Sequence, residues 1–433
     1  MRTVLFAIII VIPIANIMCG FDTKSFEDKL FSRITNTHIF TNFSTAIITY
    51  VELKDVSSLK EPSYINQLIK SKNLILSNMS LKMLTTLLAN GVKEGSTEEE
   101  LMSLWNLTDK RSLNNLYLHE LTFLKDIKNI EMHLENAIYV QKSIDLKADF
   151  LSLCINKFHC SISKVDFRNE IQVADTINSW VQDTTNNKIL HLISPVNIDE
   201  DTKIMLVNTA YLNIEWPNIK EEMEKREFHV SPSESQYVPT IKFEKSTFIH
   251  GEIPHWKAKF IEIPFLNTNI TMDIFLPNEE MEPGSESLNY LLDKFDFKEF
   301  KLFKTAYTNK LEQDMELYLP KFTIQYTQNM TDFFHERNVI TMFEDKADFT
   351  HLSEIPLKVS NFVQKIVVKL TKEHSNIPEV VKKEKRKRID LSQDELIVDR
   401  PFVYIIETNG IIWFMGSVRA PDKRGVIFTN DEL

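Results

Sequence analysis

Four consecutive cationic side chains, Lys385-Arg386-Lys387-Arg388, precede Ile389 in the C-terminal part of the chain. An exposed arginine is the side chain that trypsin-like proteases accept, because a buried carboxylate in their specificity pocket pairs with the guanidinium group. Subtilisin-like proprotein convertases, which cleave after paired basic residues, would recognise the whole run. Two other interpretations stay open: a solvated basic stretch that no partner binds specifically, and a nuclear localisation signal.

Residues for a catalytic or metal centre are not apparent. The motifs GxGxxG, GxxxxGKS/T, GxSxG and HExxH do not occur, and the 433 residues include eight glycines. His119, His335 and His351 have no visible nucleophile paired with them, and no His/Cys cluster has the spacing of metal ligands. We therefore expect no enzyme, no cofactor and no metal site.

Both ends of the chain resemble targeting segments. Residues 1–20 are predicted to be a secretory signal peptide, with Arg2 before an apolar run too short for the ~20 residues of a membrane span; a retained anchor is the alternative. Residues 425–433 end in Asn430-Asp431-Glu432-Leu433, one substitution from retrieval signals of the endoplasmic reticulum; an accidental acidic tail is the alternative. We expect an extracellular or reticulum-retained protein, with no membrane attachment after signal removal and no nuclear import.

Composition and charge narrow the class of protein further. Apolar residues make up 43% and charged residues 26%, which is the globular range, and the formal charge of −11 argues against a nucleic-acid binder. Cys154 and Cys160 could close one small loop or remain two buried thiols. Sequons for N-glycosylation begin at Asn42, Asn78, Asn106, Asn269 and Asn329.

Hydrophobic periodicity predicts helices early in the chain and strands later. Ser80 can cap a helix that ends at Gly91, Thr97 with Glu100 is typical of a capping box, and residues 177–189 show an amphipathic pattern. Asn409-Gly410 predicts a hairpin. The strand-forming runs are Ile204–Asn208, Phe260–Phe265, Thr271–Leu276, Phe402–Ile406 and Ile411–Met415. This order indicates an α+β fold, and no linker divides the chain.

Several motifs resemble the serpin family. Asp399-Arg400-Pro401-Phe402, followed by Ile412-Trp413-Phe414-Met415-Gly416, is similar to the family's D-H-P-F and I-L-F-M-G ending. Other resemblances appear in family order: Leu76-Ser77-Asn78-Met79-Ser80, Trp180-Val181, Val207-Asn208-Thr209-Ala210-Tyr211-Leu212, Leu319-Pro320-Lys321-Phe322 and Ala347-Asp348-Phe349. The resemblance implies three β-sheets with about nine helices, a single domain over residues 21–424, an exposed reactive-centre loop over about 371–398, no cofactor and a monomer.

The resemblance also implies where a protease would be trapped. In inhibitory serpins a serine protease attacks the bait bond and forms an acyl-enzyme, and the cut loop inserts into the largest sheet. The family's hinge serine or threonine lies thirteen positions before the bait residue, and Ser375 matches it. Arg388 lies thirteen positions after Ser375 and thirteen before Pro401, so the implied bait bond is Arg388–Ile389. Lys385, Arg386 and Lys387 would then be subsite residues.

The implied partner is a serine protease, either trypsin-like or a subtilisin-like convertase. Lys385 stands where convertases commonly accept arginine, and lysine cannot copy bidentate pairing. The hinge departs from the inhibitory pattern: His374 replaces a glycine, Pro378 cannot donate to a strand ladder, and Glu379 would be buried on insertion. The alternative function is therefore a serpin that does not inhibit, such as a chaperone, a carrier or a plain protease substrate.

The gate through which the loop would enter also departs from the family pattern. Ser77, Ser80 and Asn208 offer hydrogen-bonding groups there, and Gln364 stands where a histidine is common. We expect these four side chains to form the shutter of the largest sheet.

Overall fold

Runs of β-branched and aromatic residues form strands that assemble into three sheets. A computed structural model describes residues 74–428, with gaps at 106–109, 112–113, 115–129, 215, 217–223, 244, 266–267, 279, 309–313, 336, 370–394, 409 and 422–425. All of these residues belong to one unit, Lys60–Leu433.

Seventeen strands and seven α-helices have bounds within the described residues. The strands are β1 Leu74–Ser77, β2 Glu131–Gln141, β3 Ser161–Val165, β4 Ile204–Asn213, β5 Glu224–Ser231, β6 Glu234–Lys242, β7 Ser246–Thr247, β8 Ile249–Ile253, β9 Ala258–Pro264, β10 Thr271–Pro277, β11 Asp314–Pro320, β12 Thr323–Asn329, β13 Asn361–Lys369, β14 Glu395–Ile397, β15 Phe402–Thr408, β16 Ile411–Val418 and β17 Val426–Phe428. The α-helices are α1 Asn78–Gly91, α2 Ser96–Ser103, α3 Ala148–Asn156, α4 Glu170–Thr184, α5 Ser285–Lys294, α6 Phe297–Thr308 and α7 Thr331–His335.

The largest sheet, here called the central sheet, has the order β17-β12-β13-β4-β2-β3. Its two middle strands, β13 and β4, run parallel and pair at nine positions, from Asn361 opposite Met205 to Lys369 opposite Asn213. Strand β12 pairs with β13 antiparallel, and β2 pairs with β4 antiparallel. The exit of β13 therefore lies beside the exit of β4.

The two other sheets complete the α+β architecture. The second sheet has the order β1-β16-β15-β10-β9-β8, and the third has the order β14-β11-β6-β5 with β7 paired to β11. Strands β15 and β16 form the predicted hairpin, in which Gly410 has φ +84°, a conformation that glycine adopts without strain. The predicted fold class, with three β-sheets, is confirmed.

Two helices cover opposite faces of the central sheet. Helix α1 is buried along nearly its whole length, and its apolar side chains join the main core between the central and second sheets. Helix α4 packs Val173, Ile177 and Val181 against Val207 and Val367 on the other face. The side chains of the middle strands therefore alternate between the main core, which includes α1, and the face that α4 covers.

Three local predictions about helices are corrected. Helix α1 begins at Asn78, so Ser80 lies in its first turn instead of capping it. Helix α2 has Gly95 at its N-cap with no side-chain cap, so Thr97 and Glu100 do not form a capping box. The amphipathic helix predicted over residues 177–189 spans Glu170–Thr184.

Candidate functional site

The segment predicted to carry the bait connects two different sheets. It leaves the middle of the central sheet at Lys369, the last residue of β13, and returns at Glu395, the first residue of β14 on the edge of the third sheet. Residues 370–394 lie outside the described residues. So do the predicted bait bond, the subsite residues and the hinge: Arg388, Ile389, Lys385, Arg386, Lys387, His374, Ser375, Pro378 and Glu379.

The pairing of β13 with β4 has a direct geometric consequence for this segment. The two strands are parallel neighbours, and the segment starts where β13 ends. A chain that turned back between them would run antiparallel to both strands and could form regular ladders on each side. The middle of the central sheet is thus suited to receive a strand from its own connecting segment.

Three of the four predicted shutter residues, Ser80, Asn208 and Gln364, are brought together at this pairing. Gln364 lies opposite Asn208, and its Nε2 donates to Asn208 Oδ1 at 2.7 Å. Asn208 Nδ2 in turn donates to Ser80 Oγ, also at 2.7 Å. All three side chains are buried, so these bonds form in a medium where an unmade bond is costly.

This hydrogen-bond network has a further member, Asn136 of β2, that was not predicted. It lies opposite Asn208 on the other side, and its Oδ1 accepts from Asn208 Nδ2 at 2.7 Å. The available signal was a polar residue immediately before the apolar run Ala137-Ile138-Tyr139-Val140. The amide of Asn208 therefore connects helix α1 with both neighbouring strands.

Ser77 does not join this network. It is fully buried at the N-terminal end of α1, and no hydrogen-bond partner for its Oγ is found among the described residues. The oxygen Oε1 of Gln364 is likewise buried without a partner in this part of the chain.

One position along β2, β4 and β13 from this network, two ionisable side chains lie on the opposite face of the central sheet. Glu135, Thr209 and Lys365 occupy successive strands at one register position, on the face that α4 covers. Burial raises the pKa of Glu135 to about 7 and lowers the pKa of Lys365. Lys365 Nζ donates to the backbone carbonyl of His191, which lies in the linker between α4 and β4. This bond holds the linker against β13.

The candidate glycosylation sites differ in exposure. Asn269 lies exposed in the turn between β9 and β10, and Asn329 is half-buried at the end of β12. Asn78 is 3% exposed, and the Ser80 of its sequon is engaged by Asn208, so this sequon does not fit a glycan in the folded protein. Asn42 and Asn106 lie outside the described residues.

Cys154 and Cys160 are buried free thiols. The thiol of Cys154 donates to the backbone carbonyl of Cys160 at 3.3 Å. No group of three or more potential metal ligands occurs among the residues that the structure describes. Within the same residues, no helix is long and apolar enough to cross a membrane.

Comparisons with known proteins agree on one family. A sequence model described as "Serpin (serine protease inhibitor)" matches residues 62–421. The chain is 27% identical to alaserpin of Manduca sexta over 332 residues, covering 76% of this chain and 83% of the relative. It is 27% identical to antitrypsin of Bombyx mori over 351 residues, covering 80% and 87%. The crystal structure of Serpin48 of Tenebrio molitor superposes with a TM-score of 0.71 at 26% identity, covering 85% of this chain and 98% of that one.

Proposed function

The chain belongs to the serpin family of serine protease inhibitors, and from that membership we propose that it traps a protease that cleaves after basic residues. The bait bond is Arg388–Ile389. The protease attacks it as a substrate and forms an acyl-enzyme, and the cut loop then enters the central sheet before hydrolysis completes.

The closed pairing of β13 with β4 is the observation that carries this proposal. The two strands pair directly at nine positions, so the central sheet has no inserted loop strand. The segment from Leu370 to Arg388 contains nineteen residues, which exceeds the nine needed to fill that interface. Insertion replaces the single ladder between β13 and β4 with two ladders, one on each side of the inserted strand. The net gain of one ladder of hydrogen bonds supplies the driving force.

The charge of the bait segment supports a protease with an acidic cleft. Arg388 supplies a guanidinium for a carboxylate in the specificity pocket, and Lys385, Arg386 and Lys387 extend the positive charge upstream. A subtilisin-like convertase would use the whole run, whereas a trypsin-like protease would need Arg388 alone. Of the two protease classes, we favour the convertase, although Lys385 stands where convertases commonly accept arginine.

The proposal includes the compartment and the boundaries of the mature protein. Residues 1–20 are removed as a signal peptide, residues 21–424 form the serpin domain, and residues 425–433 carry the retrieval signal. The protein acts as a monomer in the secretory pathway, where convertases also operate. Asn42, Asn106, Asn269 and Asn329 are its glycosylation candidates.

The expectation that the chain is simply not an enzyme is corrected, because it names no activity for the protein. The family match assigns a positive role, inhibition of serine proteases, and the relatives are named as inhibitors. In this role the protein is a protease substrate whose cleavage is linked to a conformational change.

The hinge favours a second candidate function. Pro378 lacks the N–H that a central strand needs, and burial of Glu379 and Lys383 without partners costs several kcal/mol each, about 2–7 for uncharged polar groups alone. If these residues slow insertion, the protease completes hydrolysis and leaves. The protein would then be a non-inhibitory serpin: a chaperone, a carrier or a plain substrate.

One experiment separates the two functions. The purified chain is mixed with trypsin and, separately, with a calcium-dependent subtilisin-like convertase, beside a matched Arg388→Ala variant. Inhibition gives a covalent complex that survives boiling in detergent, which the variant lacks. Clean cleavage after Arg388 without a complex supports the second function, and cleavage elsewhere in the chain overturns the assignment of Arg388–Ile389 as the bait bond.

A further inference from the structure

The segment after residue 421, beyond the family match, forms a strand of the central sheet. Val426–Phe428 make up β17, which runs parallel to β12 and pairs Val426 with Thr323, Ile427 with Ile324, and Phe428 with Gln325. This places β17 on the outer side of β12, at the edge of the sheet opposite β3.

The edge that β17 covers lacks the usual protection against strand addition. Strand β12 reads Thr-Ile-Gln-Tyr-Thr-Gln-Asn, seven residues with no charge, no proline and no glycine. Exposed edges of this composition recruit strands from other chains. The opposite edge strand, β3, is shorter and carries Lys164, which forms an ion pair with Asp145 at 2.6 Å.

The sequence around β17 is typical of a short strand that covers such an edge. Val426-Ile427-Phe428 are strong strand formers, and charged residues flank them on both sides: Asp422, Lys423 and Arg424 before, Asp431 and Glu432 after. Flanking charges of this kind keep an apolar strand from recruiting further strands. A short strand with charged ends can therefore occupy the edge without extending it to another molecule.

We propose that β17 is an intramolecular edge cap: it occupies the outer edge of β12, and its removal opens that edge to a second copy of this chain. The cap covers Thr323–Gln325, the first part of β12. Beyond Gln325, no strand among the described residues pairs with the outer edge of β12, which ends at Asn329, and a glycan on the Asn329 sequon would lie beside this part. The proposal is independent of protease inhibition.

The test compares two truncations of the chain made without glycans. The deletion of residues 422–433 removes β17, whereas the deletion of 429–433 removes the retrieval signal and keeps β17. We expect only the longer deletion to form oligomers in light scattering after size-exclusion chromatography. We also expect amides within Thr323–Gln325, the residues that β17 pairs with, to exchange roughly tenfold faster in its monomer.

A lysine on the edge strand controls for misfolding. Added to the longer deletion, Gln325→Lys should restore the monomer, because an edge lysine opposes strand addition. The proposal is overturned if the longer deletion stays monomeric with unchanged exchange at Thr323–Gln325. It is also overturned if both deletions associate equally, or if the lysine leaves association unchanged.

Discussion

Gln364 and Asn208 lie directly opposite one another on parallel strands, and the amide of Gln364 donates to the Asn208 carbonyl oxygen at 2.7 Å. Neighbouring strands lie ~4.8 Å apart, so a strand inserted between β13 and β4 would move them to ~9.6 Å. The Gln364–Asn208 bond must therefore break whenever the central sheet expands. Under the proposed mechanism, this bond contributes to the barrier that keeps the sheet closed before cleavage.

Removal of the Asn208 amide is expected to loosen this closure. Asn208→Ala leaves Gln364 Nε2, Asn136 Oδ1 and Ser80 Oγ buried without their shared partner, which costs about 2–4 kcal/mol. The urea midpoint of unfolding should fall, and spontaneous oligomerisation on mild heating should accelerate. Asn213→Ala is the matched control, because Asn213 is half-exposed at the end of the same strand. Equal effects of the two variants would contradict a special role of the shutter.

Glu100 is expected to stabilise the fold through a distant segment. Its carboxylate accepts from the backbone N–H groups of Ile340 at 2.8 Å and Thr341 at 2.7 Å, and from the Thr341 hydroxyl. Glu100→Ala should lower the free energy of unfolding by about 2–3 kcal/mol, measured by urea denaturation. Glu99→Ala, an exposed neighbour on α2, should change it by less than about 0.5 kcal/mol. A similar small change for Glu100→Ala would show that these bonds add nothing.

The contrast between Glu100 and Gly410 shows what the sequence can predict. Asn409-Gly410 determines its hairpin locally, because the turn needs a positive φ that glycine accepts, and the hairpin is present. Thr97 with Glu100 looks equally local, yet Glu100 binds backbone groups 240 residues away. Ser80 likewise resembles a cap but is engaged by Asn208, 128 residues away.

The shutter could be predicted only in part for the same reason. Family motifs identified Ser80, Asn208 and Gln364, but the place of Asn136 depends on the register between β2 and β4. Register follows from burial along whole strands and from tertiary contacts, which no short pattern in one strand contains. The same holds for β17, since three apolar residues near a terminus do not say which edge they cover.

Glu135 is expected to make stability depend on pH near neutrality. Its pKa is raised from 4.5 to about 7, so the unfolded chain releases this proton first as the pH rises. The contribution of Glu135 is therefore favourable at low pH, falls between pH 4.5 and about 7, and stays low above that. Glu135→Gln should raise the free energy of unfolding at pH 8 by roughly 2–3 kcal/mol and leave it nearly unchanged at pH 4.5.

A pH series of urea denaturation curves checks this sign. Glu227→Gln, at an exposed position of β5, serves as the matched control and should show no such difference between pH 4.5 and 8. A larger gain for Glu135→Gln at pH 4.5 than at pH 8 would reverse the argument. The substitution should also leave the cleavage position in the bait segment unchanged, because Glu135 lies on β2.

The hinge provides the sharpest test of the proposed inhibition. The double variant Pro378→Ala/Glu379→Ala restores a backbone donor and removes a buried charge from the strand that would insert, so insertion should compete better with hydrolysis. The number of inhibitor molecules consumed per trapped protease should fall by at least about threefold. Ser392→Ala/Gln393→Ala is the matched control, because residues after the Arg388–Ile389 bond do not enter the sheet. The amounts of trapped and cleaved chain on a denaturing gel measure the outcome. If the hinge variant and the control consume equal amounts, Pro378 and Glu379 do not limit insertion, and the hinge no longer supports the non-inhibitory alternative.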